Sequence, residues 1–372
     1  MAIERVEAVP VAVDVKPLEE EFGLAPYRSN HDAVESRDRM LVRLETGDGL
    51  VGWGEMLVAM ESATATKTII EEVIAPELRG REPSEIRSFL ESFYFPYTRI
   101  HPYLGAVEMA MWDLFGKRVG ASVSQLLGGA VTESVNVAYC LGILGPDRSR
   151  EQARFARDAG FEALKTKAGP DAGFDVERLT AMHEAVDGEL EFRIDPNQGW
   201  SFEDAVRSAA RLEDAGIYLQ YLEQPCRIDT PGTYANLRSR IRTPLAVNED
   251  TYFERNFGQL LKRDAVDVGV VDMIPAGGII RVREQAALAA DAGVSLSFHS
   301  GFDLGIKTAA MLHTVAATPA ISLPPDSVYY AWDEYLVEDP FEIDDGAYPV
   351  PESPGLGISV DEDAVQAHRT DT

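Results

Sequence analysis

Apolar and polar positions alternate through residues 3–15 and again through 39–45, the period of two expected of half-buried strands. A polar loop over residues 26–38 separates them. Gly47-Asp48-Gly49 then turns the chain into residues 50–54, which predicts an antiparallel meander. Helical spacing follows over residues 64–74, 84–95 and 105–119, the last with Ala, Met and Trp on an apolar face. Strands first and helices afterwards predict an α+β domain over residues 1–125.

From Glu133 the rhythm changes. Short apolar runs at residues 135–141, 163–167, 190–195, 218–223, 245–249, 266–272, 294–299 and 320–323 alternate with Ala-rich, charged helical stretches. Eight such units predict a (β/α) barrel over residues 126–323. A doubly wound open sheet is the competing α/β fold, but no Gly-rich dinucleotide fingerprint follows the first strand. Residues 324–372, rich in Pro and Asp, are expected to return to the N-terminal domain.

The candidate chemistry lies where these strands end. Lys165 and Lys167 close the second, Asp195 the third, Glu223 the fourth, Glu249 the fifth, Asp272 the sixth and His299 the seventh. In a barrel of this kind the C-terminal strand ends converge on one mouth, where active sites are built. Asp195, Glu223 and Glu249 would bring three carboxylates together, and like charges in a low-dielectric mouth need a counter-ion. An all-oxygen set suits Mg²⁺ and disfavours zinc. Lys165 and Lys167, two apart on a strand, point to the same side, and each is expected to lower the other's pKa and so make a base. Asp272 beside His299 would fix the tautomer and raise the basicity of the imidazole. Gly277-Gly278 reads as a plain loop.

Composition narrows the setting. A formal net charge of −28 excludes nucleic acid and anionic membrane as partners. The acidic residues are spread over a chain that is 45% hydrophobic, so they belong on a folded surface, a pattern expected of proteins from salt-loving organisms. Only seven lysines stand against twenty-seven arginines, which gives the Lys165–Lys167 pair added weight. No run reaches the length of a membrane helix, and the charged start does not read as a signal peptide. Cys140 and Cys226 alone form no disulfide framework. A cytoplasmic homo-oligomer acting on a small molecule is expected.

The motifs Lys165-Thr166-Lys167, Ile194-Asp195-Pro196-Asn197, Leu222-Glu223-Gln224-Pro225, Asn248-Glu249, Asp272 with Gly277-Gly278, and His299 together resemble the enolase superfamily. The resemblance is to its mandelate racemase and acid-sugar dehydratase group, and Gly52-Trp53-Gly54-Glu55 and Pro354-Gly355-Leu356-Gly357 extend it across nearly the whole chain. It implies a modified TIM barrel lacking the last helix, capped by an α+β domain built from both termini. It implies Mg²⁺ on Asp195, Glu223 and Glu249, with Asn248 the alternative third ligand. Lys167 would be the base on one face of a carboxylate substrate and His299, paired to Asp272, on the other, with Lys165 stabilising charge. Loops near residues 16–31 and 53–63 would choose the substrate, contacted also by Asn197 and by Asp326, which stands in for the eighth-strand Glu of racemases. The expected reaction is dehydration of a sugar acid to a 2-keto-3-deoxy acid. Racemisation or epimerisation is the alternative, then cycloisomerisation, for which a sixth-strand lysine would be expected where Asp272 stands. A non-catalytic acid-binding barrel is the remaining reading.

Overall fold

The computed structural model describes residues 1–58, 62–93, 99–253 and 255–371. Residues 59–61 of the expected 53–63 loop, and the end of the helical pattern over 84–95, lie outside the described residues.

The N-terminal alternation folds as the expected meander. Strands Ile3–Asp14, Ser36–Thr46 and Val51–Leu57 form an antiparallel sheet with Ser36–Thr46 in the middle. Helix His101–Val119 lies across it, closely enough that the sequence there is constrained. A Cβ on Gly52 would sit 2.5 Å from the Ala110 carbonyl oxygen, and one on Gly54 would sit 1.9 Å from that of Ala106. The glycines of Gly52-Trp53-Gly54-Glu55 therefore let the helix meet the strand, and they leave Glu55 buried and aimed at the barrel.

Eight parallel strands follow in sequential order around a barrel: Ala138–Leu141, Ala163–Lys167, Glu191–Asp195, Tyr221–Glu223, Leu245–Val247, Val268–Val271, Ser295–Phe298 and Asp326–Ser327. The eighth differs from the expected run at 320–323. Ile321 makes only an isolated bridge to Leu296, and pairing resumes at Asp326 opposite Ala138. Pro324 and Pro325 lie between, and neither has an N–H to give to a ladder, so the strand can start only after them.

Connecting helices carry their own stop and start signals. Ser201 and Asp204 form a reciprocal capping box on Phe202–Asp214, whose Ala205, Ala209 and Leu212 face inward. The tail returns to the cap: Ala12 N–H donates to His368 O, Thr370 N–H to Pro10 O, and Val15 bridges Trp332. Among the described residues no helix is long and apolar enough to cross a membrane.

Candidate active site at the barrel mouth

Strand register places the charged groups in two layers. Lys165 pairs with Arg193 and, two residues on, Lys167 pairs with Asp195. Tyr221 pairs with Arg193 and is followed two residues on by Glu223. Period-two alternation turns all of these toward the barrel interior.

The lower layer is a buried ion cluster. Lys165 Nζ lies 2.8 Å from Asp326 Oδ2, 2.8 Å from Glu223 Oε1 and 3.4 Å from Asp195 Oδ2. Arg193 lies over the Tyr221 ring and reaches Asp326 Oδ1 at 3.4 Å. Asp326 is buried beneath Lys165 with each carboxylate oxygen facing a cation, in the place of a counter-ion. One expectation is corrected here. Lys165 is not driven down toward a base: burial opposes its charge, but Asp326, Glu223 and Asp195 together hold its pKa well above the ordinary lysine value. It stays a fixed positive charge.

The upper layer is the more exposed. Lys167 Nζ lies 2.5 Å from Asp195 Oδ2 and 2.8 Å from Asn197 Oδ1. Asn197, with φ 45°, thus turns its amide onto the lysine and gives its own N–H to Asp195. Burial raises the Asp195 pKa less than Lys167 and Lys165 lower it, so it remains ionised. Glu223 goes the other way, to about 8, because burial and the Asp195 charge outweigh Lys165. Burial and Asp195 likewise raise Glu249.

Three cations (Lys165, Lys167, Arg193) face four carboxyl groups (Asp195, Glu223, Glu249, Asp326), and the raised pKa of Glu223 and Glu249 reflects burial and how few cations they share. Among the described residues no three His, Cys, Asp or Glu side chains are gathered into a ready metal cage, since the lysines hold the carboxylates. The donor chemistry nevertheless fits a hard divalent cation. Glu223 Oε2 lies 2.7 Å from Lys165 Nζ without hydrogen-bond geometry, and the buried Glu249 Oε2 has no hydrogen-bond partner. Those orphaned oxygens follow Asp195 around the mouth, at the end of the fourth strand and just past the fifth. Asn248 is spoken for: its amide donates to Val270 O at 2.7 Å and accepts from Tyr252 at 2.7 Å. Glu249 keeps one oxygen on Gln198 and one free, so it is the better third donor.

Beyond the carboxylates, His299 Nδ1 lies 3.0 Å from Asp272 Oδ2 and 3.5 Å from the Tyr252 hydroxyl. Asp272 is fixed by accepting from Ile274 N–H, and despite burial its pKa is lowered by Lys307 and His299. The mouth therefore reads Lys167 on the second strand, carboxylates on the third, fourth and just past the fifth, and the Asp272–His299 pair at the sixth and seventh strand ends. From the cap, Tyr27 is buried against this end of the barrel, edge-on to Phe302, while Ile143 N–H donates to Arg28 O. A cavity of about 670 Å³ opens beside Gln198, lined by Asn30, His31, Ser201, Arg227 and Asp229 among others.

Several residues here were not singled out from sequence. Lys307 contacts Asp272, Arg193 underpins Asp326, and Arg39 joins Glu55 to Asp303. Lys307 carried a readable signal, as the one charged residue in the otherwise uncharged, mostly apolar stretch Gly305-Ile306-Lys307-Thr308-Ala309-Ala310-Met311-Leu312.

Comparison with known proteins agrees with this architecture. Residues 148–364 match the Enolase C-terminal domain-like family, and residues 12–128 match the Mandelate racemase / muconate lactonizing enzyme N-terminal domain. An N-succinylamino acid racemase of Thermus thermophilus is 31% identical over 373 residues, 95% of this chain and 94% of its own. An arabinonate dehydratase of Saccharolobus solfataricus is 28% identical over 327 residues, 85% of this chain and 87% of its own. The crystal structure of an enolase from Streptomyces coelicolor superposes with a TM-score of 0.87 at 32% identity, covering 99% of this chain and 96% of that one. With the C-terminal match alone spanning more than half its residues, this chain belongs to the enolase superfamily, in the mandelate racemase and muconate lactonizing enzyme group.

Proposed function

We propose that the barrel mouth removes the proton beside a substrate carboxylate, with Lys167 and His299 as the acid–base pair, and that the reaction is loss of water from a sugar acid. The observation that carries the reading is the bracketing of the carboxylate arc by Lys167 on one side and the Asp272–His299 pair on the other. When bound at Asp195, Glu223 and Glu249, Mg²⁺ supplies Lewis-acid stabilisation of the negative charge that proton loss places on the substrate carboxylate.

The chain's own groups divide the remaining work. Lys165, held charged by three carboxylates, contributes a fixed positive charge beneath the site. Lys167, once relieved of Asp195 and having given its ammonium proton to solvent, takes the α-proton on the neutral Nζ. Asp272 engages Nδ1 of His299, which leaves Nε2 to deliver a proton to the β-hydroxyl. The hydroxyl departs as water with the C–O electron pair, and the resulting enol becomes the 2-keto-3-deoxy acid without redox change. Asn30, His31, Ser201, Arg227 and Asp229 around the neighbouring cavity offer hydrogen bonds suited to a hydroxyl-rich substrate. The likeness to racemases and an epimerase favours a second reading, in which the opposite base returns the proton and the product is a stereoisomer.

Sugar acids incubated in heavy water test both. With Mg²⁺ present, solvent deuterium should enter the α-position of recovered substrate and a 2-keto-3-deoxy product should form, chelator should stop both, and Glu223→Gln should respond weakly to added metal. Full turnover after chelation would remove the metal from the mechanism. Exchange with inversion and no loss of water would select the stereoisomer reading.

A further inference from the structure

Two of the seven lysines, Lys165 and Lys307, are buried, and the reaction above gives Lys307 no task. It lies in helix Gly305–Ala316, where Ile306, Ala309, Ala310, Met311 and Leu312 are all buried. A cation there loses hydration that only close counter-charges can offset, whereas Met would pack at no such cost. Lys307 Nζ lies 3.0 Å from the Asp272 carboxylate and 2.9 Å from Asp303 Oδ1. Asp303 also accepts from Arg39 Nη2 at 3.0 Å, and Arg39 holds Glu55 at 2.7 Å and the Gly301 carbonyl at 2.9 Å. Alternating charges therefore run from the cap strands to the imidazole through Glu55, Arg39, Asp303, Lys307 and Asp272.

The decisive detail is at one atom. Asp272 Oδ2 lies 3.0 Å from His299 Nδ1 and 3.0 Å from Lys307 Nζ. We propose that Lys307 is a positioning residue that holds Asp272 and takes up part of its charge, so that His299 keeps Nδ1 toward Asp272 and Nε2 toward the site. The inference rests on reading His299 as an acid–base group. The groups facing the imidazole are Asp272 from the sixth strand end and Tyr252 from the turn after the fifth. Lys307 stands behind Asp272, then Asp303, Arg39 and Glu55, and Glu249 acts on Tyr252 from the metal side. An imidazolium must share Asp272 with the ammonium. Without Lys307 it would have the carboxylate to itself, and the protonated form would persist to higher pH.

Nitrogen NMR of isotope-labelled histidine tests this without substrate or metal, with the His299 signal assigned by its loss in His299→Asn. In Lys307→Met the midpoint of its titration should rise by about one pH unit or more, and Lys307→Arg should return it toward wild type. An unpaired Asp303 could unfold Lys307→Met, so the charge-balanced double variant Lys307→Met with Asp303→Asn takes the same measurement, with the same direction expected. A midpoint unmoved in whichever of these folds overturns the proposal. Turnover separates the two levels. Wild-type turnover in His299→Asn would refute the catalytic reading of the pair, while the titration would still decide whether Lys307 governs it.

Discussion

Replacing Glu108 by Gln should flatten the pH dependence of stability by a predictable amount. Glu108 reaches from helix His101–Val119 of the cap to the start of barrel helix Ile279–Ala292, where its carboxylate accepts from Ile279 N–H, from Ile280 N–H at 3.0 Å and from Trp112 Nε1 at 3.2 Å. It supplies the cap that Gly278 cannot, and a Cβ on Gly278 would come within 2.2 Å of it. Burial nevertheless raises its pKa from 4.5 to about 7, against the pull of those donors. A raised folded-state pKa means the associated stability is full below the unfolded value and is lost as pH rises through the folded one. From 4.5 to about 7 the loss amounts to about 3 kcal/mol. Gln cannot titrate, though its amide leaves one N–H less well served, a pH-independent cost of about 1–3 kcal/mol. The assay is urea unfolding of both proteins at a series of pH values in chelator, with the variant's free energy subtracted from the wild type's so that all other titrating groups cancel. The difference should fall by about 3 kcal/mol between roughly pH 4.5 and pH 7. Parallel curves would show that Glu108 is ionised throughout and that the helix terminus, not burial, sets its charge.

Two further outcomes concern stability. Arg39→Met leaves Glu55 and Asp303 buried with Leu304 N–H and Lys307 as their remaining partners, and should cost about 3 kcal/mol in urea unfolding, while a loss under about 1 kcal/mol would mean the interdomain pair contributes little. The formal charge of −28 should make the fold salt-dependent, with the unfolding midpoint rising from dilute buffer to molar KCl, and a midpoint that does not move would reject the salt-adapted reading of the composition.

The barrel was legible because its strand ends are polar and regularly spaced: Lys167, Asp195, Glu223, Asp272 and His299 all lie at or just past a strand end and converge on the mouth. What failed was local. Residues 320–323 are apolar enough for a strand, but the two prolines after them forbid the ladder, so the eighth strand is the polar pair Asp326–Ser327. Lys165 and Lys167 look alike in sequence, yet one sits between three carboxylates and the other, half-buried, at the rim, a difference that depends on Asp326 returning from the far end of the barrel. Arg39, Asp303 and Lys307 could not be joined from spacing, because the cap strand and the seventh-strand loop meet only in the folded chain. Gly52 and Gly54 were visible as a motif, but their reason is a helix backbone packed against them.

The central claim is that Lys167 takes the α-proton while the Asp272-held His299 delivers a proton to the β-hydroxyl, as two separate acid–base groups of one mouth. The most direct measurement is solvent deuterium incorporation at the α-position of recovered substrate, followed alongside product formation, in Lys167→Met and His299→Asn with Mg²⁺ present. The account predicts that His299→Asn loses water elimination by roughly 10²–10⁴-fold while Lys167 still exchanges the α-proton, and that Lys167→Met loses that exchange. Wild-type exchange and turnover in both variants would contradict it and place the catalytic centre elsewhere.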